Sequence, residues 1–516
     1  MSTHTRPWRH RALALGVAAS LAASLTACGG DDDATAAGGG GGGGGGDGLV
    51  IAIADEPSTL DPQAQEDGNE RAVNDNVYEA LLVRNSETNE LEPRLATELP
   101  TQVEPTIWEF TLREGVEFTN GEPFDAEAAA YSINRIVDPD YESAQLDYYG
   151  PLESAEAVDA TTLRVTTSEP DLVLPARFAR LKMVPPEASQ EDSFTEEPIG
   201  TGPYTVTKWD RGQQVTLAAN PDYWGDAPPE SEVTIRFISE AGTRVAGLRT
   251  GEIDLATLLP PEQAADAPQV LTKEGVEFPV YRLKNYDGTL VSKEIRQALN
   301  YAVDKEAIAE DLFSGYATVA DCQPSQVGTT GYNPDLEPYP YDPDKARELL
   351  EEAGYDGEPL TLLGATGRWL KDAEMHEVVI GYLEEVGVSV TPDIRPFSSY
   401  IDEFTRTVGD AQPDIGFVSA SNELFDASKM DSYYASDGAL SSYVNDEADA
   451  LIAEATEAET PEDREVKYQE LFALGCDDPP FIFTVNLQDI YGASEDLVWT
   501  PRSDGSLYIP EMSLGS

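Results

Sequence analysis

At 516 residues the chain is too long for one hydrophobic core, and two or three domains are expected. Lys and Arg number 33 against 96 Asp and Glu, a formal charge of −63, which makes nucleic acid and anionic membrane surfaces poor partners because the electrostatic term is repulsive. With 40% hydrophobic residues and 23 tyrosines the chain can still bury cores, so the acidity does not mean disorder; lysine supplies only 10 of the 33 bases, a balance suited to high salt, where screening weakens self-repulsion.

Residues 1–27 read as an export signal peptide: Arg6, Arg9 and Arg11 form a basic n-region, and 12–25 is an apolar stretch too short to span a bilayer comfortably. It closes in Leu25-Thr26-Ala27-Cys28, which resembles the bacterial lipobox, where cleavage precedes the cysteine and its thiol takes diacylglycerol. An ordinary secretory signal with an incidental cysteine is the alternative. Residues 28–48 then carry a run of three aspartates at 31–33 and an unbroken glycine run over 38–46. A Gly-rich coil of about 20 residues has an end-to-end distance of roughly 25 Å, enough to hold a domain off a membrane.

Residues 49–54 (LVIAIA) predict a short apolar strand and 55–62 (DEPSTLDP) a turn-rich exit. Val73, Val77 and Leu81 fall at four-residue steps and predict a helix over 72–83. Residues 108–124 predict a hairpin turning at Asn120-Gly121, and Asp125 can cap a helix running to about Ile136. A strand is expected at 162–166. The most patterned stretch is 199–225 (IGTGPYTVTKWDRGQQVTLAANPDYWG). Gly200 and Gly202 flank Thr201 before Pro203, 204–209 alternates as a strand, Asp210-Arg211-Gly212 turns, and 214–219 alternates again. A strand over 233–238 and a helix over 241–248 follow. Beyond Asn285 helix and strand alternate: helices from Ser292, from Asp304, from Asp342-Pro343 to a stop at Gly354, and over 372–386, 447–459 and 462–474, with strands over 388–391, 415–418 and 481–487. That pattern predicts an α/β region with a buried sheet.

As literal strings, GTGPY and NPDYWG within 199–225 closely resemble the signature of extracytoplasmic solute-binding proteins that feed ABC importers, more narrowly the peptide/nickel class, family 5. YEALL (78–82), PRLATEL (93–99), the run 108–127 and GEID (251–254) are similar to the first lobe of that family; VSKEIRQALNYAVDKEAI, YPYDPDKARELLEEAGY and YLEEVGVSV are similar to its second. The resemblance covers nearly all of 49–490. It implies an α/β, two-lobed periplasmic-binding-protein-like fold with a hinge and an interlobe ligand cleft, lobe I enlarged by an extra subdomain. Lobe I would be 49–285 plus 488–516 and lobe II 286–487, with crossings near Lys284-Asn285 and Asn486-Leu487.

The function so implied is capture of a small solute, an oligopeptide or dipeptide first, outside the cell, and its delivery to the permease. A glycoside or metal chelate bound by the same fold, or a surface receptor without a transport role, are the alternatives. The implied partners are a small-molecule or peptide ligand, ABC transporter permease subunits, and the membrane through a lipid on Cys28. A monomer is expected, with no cofactor, held at the outer face of the cell membrane or in the periplasm.

In peptide-binding members resembling this chain, an aspartate in a DP motif of lobe II pairs with the peptide's α-ammonium. Asp426 matches that position, although Ala427 stands where the motif has proline and Phe417 where tryptophan is frequent. Arg368 is the candidate partner of a ligand carboxylate, bidentate in geometry. Trp369, Tyr433, Tyr434 and Tyr149 are candidate aromatic walls, and Phe417 and Asn422 complete the ligand-binding set.

Cys28 being assigned to the lipid, Cys322 and Cys476 are left, and an exported protein meets an oxidising environment, so an intrachain disulfide is expected, with two buried thiols as the alternative. Enzymatic chemistry finds little support. Among 96 acids some pair always looks suited to glycosidase work, so such pairing carries no weight. Met375-His376-Glu377 begins like a zinc helix but position 380 is Ile, and His376 is the sole histidine after residue 27, which leaves no His-rich metal site. No phosphate loop and no activated nucleophile are recognisable.

Overall fold

The computed structural model describes residues 48–65, 68–409, 411–458 and 460–515; the expected signal peptide over 1–27, the expected lipidation at Cys28 and the glycine run lie outside them. Strand placement follows the apolar runs. Leu49–Ile53 is buried almost along its whole length and therefore lies inside a sheet, parallel to Glu232–Phe237 on one side and Leu255–Ala256 on the other. The hairpin Tyr204–Asp210 with Gln214–Ala219 extends this first sheet at one end, and Val485–Ala493 followed by Gln269–Glu274 extends it at the other. Ala317–Val319 also pairs with Val485–Ala493. The second sheet runs Val390–Pro396, Leu360–Thr366, Ile415–Ser421, Glu277–Leu283, Phe481–Phe483.

The chain leaves the first sheet at Gly275-Val276, touches its strand Val485–Ala493 once at Ala317–Val319, and returns to it after Thr484. Glu277–Leu283 thus belongs to the second sheet, earlier in the chain than the crossing expected near Lys284-Asn285. The single strand expected over 481–487 is two strands in different sheets. The buried Thr484 between them donates its hydroxyl to the Pro279 carbonyl, which anchors the backbone where it changes direction.

A four-stranded antiparallel sheet (Thr101–Glu104, Ile107–Thr111, Thr162–Thr167, Leu152–Ala157) packs with the helix Ala126–Val137 around Phe110, Ile133 and Phe178. Asp125 caps that helix by accepting from the Glu127 and Ala128 N–H groups at 3.0 Å each. The hairpin expected over 108–124 is only half formed. Val116–Glu117 pairs with Pro123–Phe124, whereas Ile107–Thr111 pairs with Thr162–Thr167, because Trp108 and Phe110 are buried on the face that also buries Leu163 and Val165.

The helix expected over 72–83 is Gly68–Val77. Its end is fixed from outside: the Gly202 N–H donates to the Val77 carbonyl at 2.9 Å, taking the acceptor that a further turn would need. A Cβ on Gly200 would stand 2.0 Å from that same oxygen, so only glycine allows the approach. In the second-sheet region Ser292, Asp304 and Asp342 cap their helices through Ile295, Ala307 and Lys345 N–H. The Asp304 helix continues as a π-turn over Ile308–Leu312. A disulfide joins Cys322 to Cys476, at the end of the helix Pro461–Asp477.

Candidate functional site

Segments carried by the two sheets face one another across two cavities. The smaller, about 80 Å³, is walled by the helix Gly68–Val77 and its continuation to Arg84, by Arg180 and Lys182, by residues 502–508 of the C-terminal tail, and from the opposite side by Glu423, which follows the second-sheet strand Ile415–Ser421. The larger, about 410 Å³, lies between Tyr148, Gly150 and Arg177 on one side and Ser421, Lys429 and Tyr433 on the other. Glu423-Leu424 and residues 177–180 contribute to both walls. A volume of about 80 Å³ holds a few ordered waters or one ligand group, while a whole small ligand needs about 300 Å³ or more, which the second cavity supplies.

The smaller cavity inverts the charge of the chain. Arg71, Arg84, Arg94, Arg180, Lys182 and Arg502 line it against Asp75, Glu79, Glu423 and Asp504. Most of these groups are paired. Lys182 meets Asp75 at 2.8 Å, with Arg71 at 3.6 Å and the Ser506 hydroxyl donating at 2.7 Å, so that the Asp75 carboxyl, which burial pushes up, is held far below the usual carboxylate range. Arg502 lies 3.2 Å from Asp504 and 2.8 Å from Glu511, and donates to the Arg84 carbonyl at 2.5 Å.

Glu79 is the most fully satisfied of the acids. Its carboxylate accepts from Arg94 at 2.7 Å, Thr201 at 2.9 Å, Tyr223 at 2.9 Å and Trp224 Nε1 at 2.7 Å. Thr201, Tyr223 and Trp224 all come from the patterned stretch 199–225. Three of its side chains thus converge on Glu79 and fix Arg94 beside the cavity.

Arg84 is different. Its guanidinium donates to two backbone carbonyls, Asn89 at 2.7 Å and Leu424 across the cleft, and lies over the Phe425 ring at 4.7 Å. Among the described residues no carboxylate lies within ion-pair distance of it, and burial pushes its pKa down to about 10 against the pull of Asp504 and Asp426. Phe425 itself holds φ at 53°, a left-handed conformation that non-glycine residues adopt at a cost. Asn74, 3% exposed, is among the residues around this cavity, and its Oδ1, itself closed off from solvent, accepts no hydrogen bond.

The residues singled out from the sequence divide between site and scaffold. Asp426 is not left open for a ligand: its two oxygens take Arg464 Nη1 at 2.7 Å and Nη2 at 2.5 Å, and Oδ1 also accepts from the Ser428 N–H and hydroxyl. Burial raises its pKa and Arg464 more than reverses that, leaving it below the ordinary value. Asn422 is buried beside it, its Oδ1 accepting from the Asp426 N–H while Nδ2 makes no hydrogen bond.

Phe417 is core, ringed by Tyr281, Trp369 and His376 at 5.0, 5.5 and 4.6 Å. Trp369 packs edge-on against Phe397 and Tyr400 as well. Arg368 is exposed and lies over Phe397 at 5.6 Å, away from both cavities. Tyr434 is buried among Tyr443, Phe472 and Phe481. Tyr149 is buried with its hydroxyl 3.4 Å from Gln145, whereas its neighbour Tyr148 lines the larger cavity. Among the described residues, Tyr433 is the one member of the candidate set that lines either of these two cavities. The arginines and Asn74 escaped the sequence reading because they lie far apart along the chain; the available signal was the scarcity of bases in so acidic a sequence.

His376 shares its ring nitrogens between Tyr281 and the Ala365 carbonyl, at 3.1 and 2.9 Å, and burial lowers its pKa. Among the described residues no group of three His, Cys, Asp or Glu could hold a metal ion, and no helix is long and apolar enough to cross a membrane.

Residues 90–442 match the family described as bacterial extracellular solute-binding proteins, family 5 Middle. The glutathione-binding protein GsiB of Salmonella paratyphi A is 31% identical over 326 residues, 61% of this chain and 63% of that protein; GsiB of Shigella boydii is 30% identical over 355 residues, 66% and 68%. The chain therefore matches somewhat under two thirds of the length of the first of these relatives. HbpA2 from Haemophilus parasuis shares the fold with a TM-score of 0.81 at 22% identity, covering 91% of this chain and all of that one. The periplasmic binding protein DppA from Helicobacter pylori, in complex with the peptide STSA, does so at 0.71 and 23%, covering 91% and 98%. The chain belongs to the bacterial extracellular solute-binding proteins of family 5.

Proposed function

We propose that this protein captures a small solute, a short peptide first, outside the cytoplasm and presents it to the permease of an ABC importer, without catalysing a reaction. The observation that carries this reading is the pair of cavities walled jointly by segments from both sheets. A ligand bound there touches both sides at once and favours the closed arrangement, which the permease reads. Lobe I is then 48–275 with 485–515, enlarged by the four-stranded subdomain, and lobe II is 276–484. The relatives named for glutathione binding and the peptide complex of the Helicobacter pylori protein support a peptide ligand. The lipobox-like Leu25-Thr26-Ala27-Cys28 supports a lipid anchor at the outer face of the membrane.

A non-peptide solute is the second reading, supported by the engagement of Asp426, the expected partner of a peptide ammonium, with Arg464. Native mass spectrometry of the chain purified without unfolding tests both. Release of a family of short peptides on denaturation establishes the first reading, and release of a single sugar or chelate replaces it with the second. Absence of any bound solute, together with no binding across a ligand panel in molar salt, would remove both.

A further inference from the structure

We propose that the ion pair between Lys371 and Glu262 is a latch that weights the closed arrangement of the lobes without touching the ligand. The inference rests on the solute-capture reading, with its two lobes, and adds a control on closure that the cleft cavities do not supply.

Three observations carry it. First, the pair bridges the lobes. Lys371 follows the second-sheet strand Leu360–Thr366, Glu262 follows the first-sheet strand Leu255–Ala256, and their charged ends meet at 3.1 Å. The pairs Lys182–Asp75, Arg94–Glu79 and Arg464–Asp426 by contrast each stay within one lobe. Second, neither Lys371 nor Glu262 lines either cleft cavity, so movement of the lobes makes or breaks the pair, and a ligand's own contacts do not.

Third, the turn that carries Lys371 is built against its local preferences. Lys371 holds φ at 55°, a left-handed conformation that a non-glycine residue adopts at a cost. It also stands just before the helix Asp372–Glu385, where the helix dipole disfavours a cation. The buried Asp372 fixes this turn by accepting from the Gly367, Arg368 and Trp369 N–H groups at 3.2, 2.9 and 3.1 Å. On the facing lobe Leu258, which leads into Pro260-Pro261-Glu262, is left-handed as well at 52°, and Arg244 donates to its carbonyl at 3.0 Å. Local costs of this kind persist where tertiary contacts offset them, and Glu262 gives Lys371 that contact.

The pair is partly exposed, with side-chain exposures of 21% and 55%, and so adds little to the stability of the fold. Closure is a finer balance than folding, and a pair of this kind shifts the closed-to-open ratio by about two- to fivefold. Only the closed arrangement encloses a ligand, so the apparent affinity for every ligand rises with the closed fraction while the preference among ligands stays the same. Glu262 is held ionised for this role: its own backbone N–H and, against slight burial, Lys371 keep its carboxyl below the ordinary range.

Small-angle scattering of the full chain without ligand, fitted as a mixture of the arrangement described here and an opened one, tests the latch. General electrostatics and the latch predict opposite signs. In a chain of charge −63, replacing an acid by a base eases repulsion between the lobes, so without a latch Glu262→Lys should contract the protein. With the latch, Glu262→Lys sets two cations against each other and should expand it, lowering the closed-to-open ratio at least about twofold. Asp266→Lys, at an exposed acid four residues on, should not expand it. Glu262→Gln should act in the same sense as Glu262→Lys and by less. The swap of Glu262→Lys with Lys371→Glu should restore most of the ratio.

Contraction or no change in Glu262→Lys overturns the inference, as does an expansion that the swap leaves in place or that Asp266→Lys matches. Should a lysine variant fail to fold, the sign of the change in Glu262→Gln decides: expansion supports the latch, and contraction or no change overturns it. A solute released in native mass spectrometry from a chain whose variants do not expand overturns the latch and spares solute capture. Expansion reversed by the swap, in a chain that releases and binds nothing, supports the latch and removes solute capture.

Discussion

Arg464 and Arg84 stand on aromatic rings at almost the same height, 4.8 Å over Tyr468 and 4.7 Å over Phe425, and their contacts in the second-sheet region fall on adjacent residues. Arg464 meets both oxygens of Asp426 in a buried bidentate pair, whereas Arg84 meets only carbonyls and faces a cavity. A matched pair of buried charges has spent its binding capacity on the fold; a half-buried cation held by neutral dipoles keeps its capacity for an anion from outside. Type of residue does not distinguish the two, since Asp426 looked from the sequence like the group reserved for a ligand. What distinguishes them is whether the complementary charge is supplied by the chain.

The sharpest way to break this comparison is to remove Arg464. Arg464→Ala should destabilise the protein by about 3–5 kcal/mol by leaving Asp426 buried and unpaired, read as a lower midpoint in denaturant. Asp426→Ala should likewise lower the midpoint while ligand affinity measured below it stays unchanged; lost affinity with an unchanged midpoint would return Asp426 to the site. Next in size is the Cys322–Cys476 disulfide, which bridges a sequence separation of 154 residues, so reduction should cost about 2–5 kcal/mol, measured by unfolding with and without reductant.

A smaller effect is expected from pH. Burial raises the pKa of Asp431, next to the Arg464 pair, to about 7 and that of Glu277, at the crossing between the sheets, to about 7. A carboxyl whose pKa is higher folded than unfolded stabilises the fold while protonated, fully below its unfolded value near 4, and that contribution is lost as pH rises to about 7. The thermal midpoint should therefore fall as pH goes from 5 to 8, and Asp431→Asn should flatten the fall. The acids held low, Asp75 and Asp504, act only below their unfolded range and leave this window untouched. The smallest effect on stability is expected at Arg84: Arg84→Gln should change the unfolding free energy of the ligand-free protein by less than about 1 kcal/mol, in contrast to Arg464→Ala. A loss as large as that at Arg464 would make Arg84 a scaffold residue too.

Much of the fold was legible before the structure, and unevenly so. The caps at Asp125, Ser292, Asp304 and Asp342 were readable because an N-cap is a local event: one side chain bonds an N–H two or three residues on. The hairpin over 204–219 was readable for the same reason, its register set by its own turn. Three elements were misjudged where a distant partner intervened. Gly202 ends the helix at Val77 from more than a hundred residues away, Thr162–Thr167 draws Ile107–Thr111 out of its expected hairpin, and Pro279 anchors Thr484 between strands of different sheets.

The candidate site was less legible than the fold. Its cations, Arg71, Arg84, Arg94, Arg180, Lys182 and Arg502, come from segments spread over more than four hundred residues, and no spacing rule links them. By itself the sequence determined the family, the alternation of apolar and polar positions that builds the sheets, the local caps and turns, and a charge that disfavours polyanions. These are properties of neighbouring residues or of the whole composition. Only the tertiary structure decided which charges cancel one another: that Asp426 is matched by Arg464, that Thr201, Tyr223 and Trp224 converge on Glu79, and that Arg84 meets the cavity without a carboxylate. Coulomb energy depends on distance and on burial together, and both are fixed only when segments remote in the chain are brought side by side.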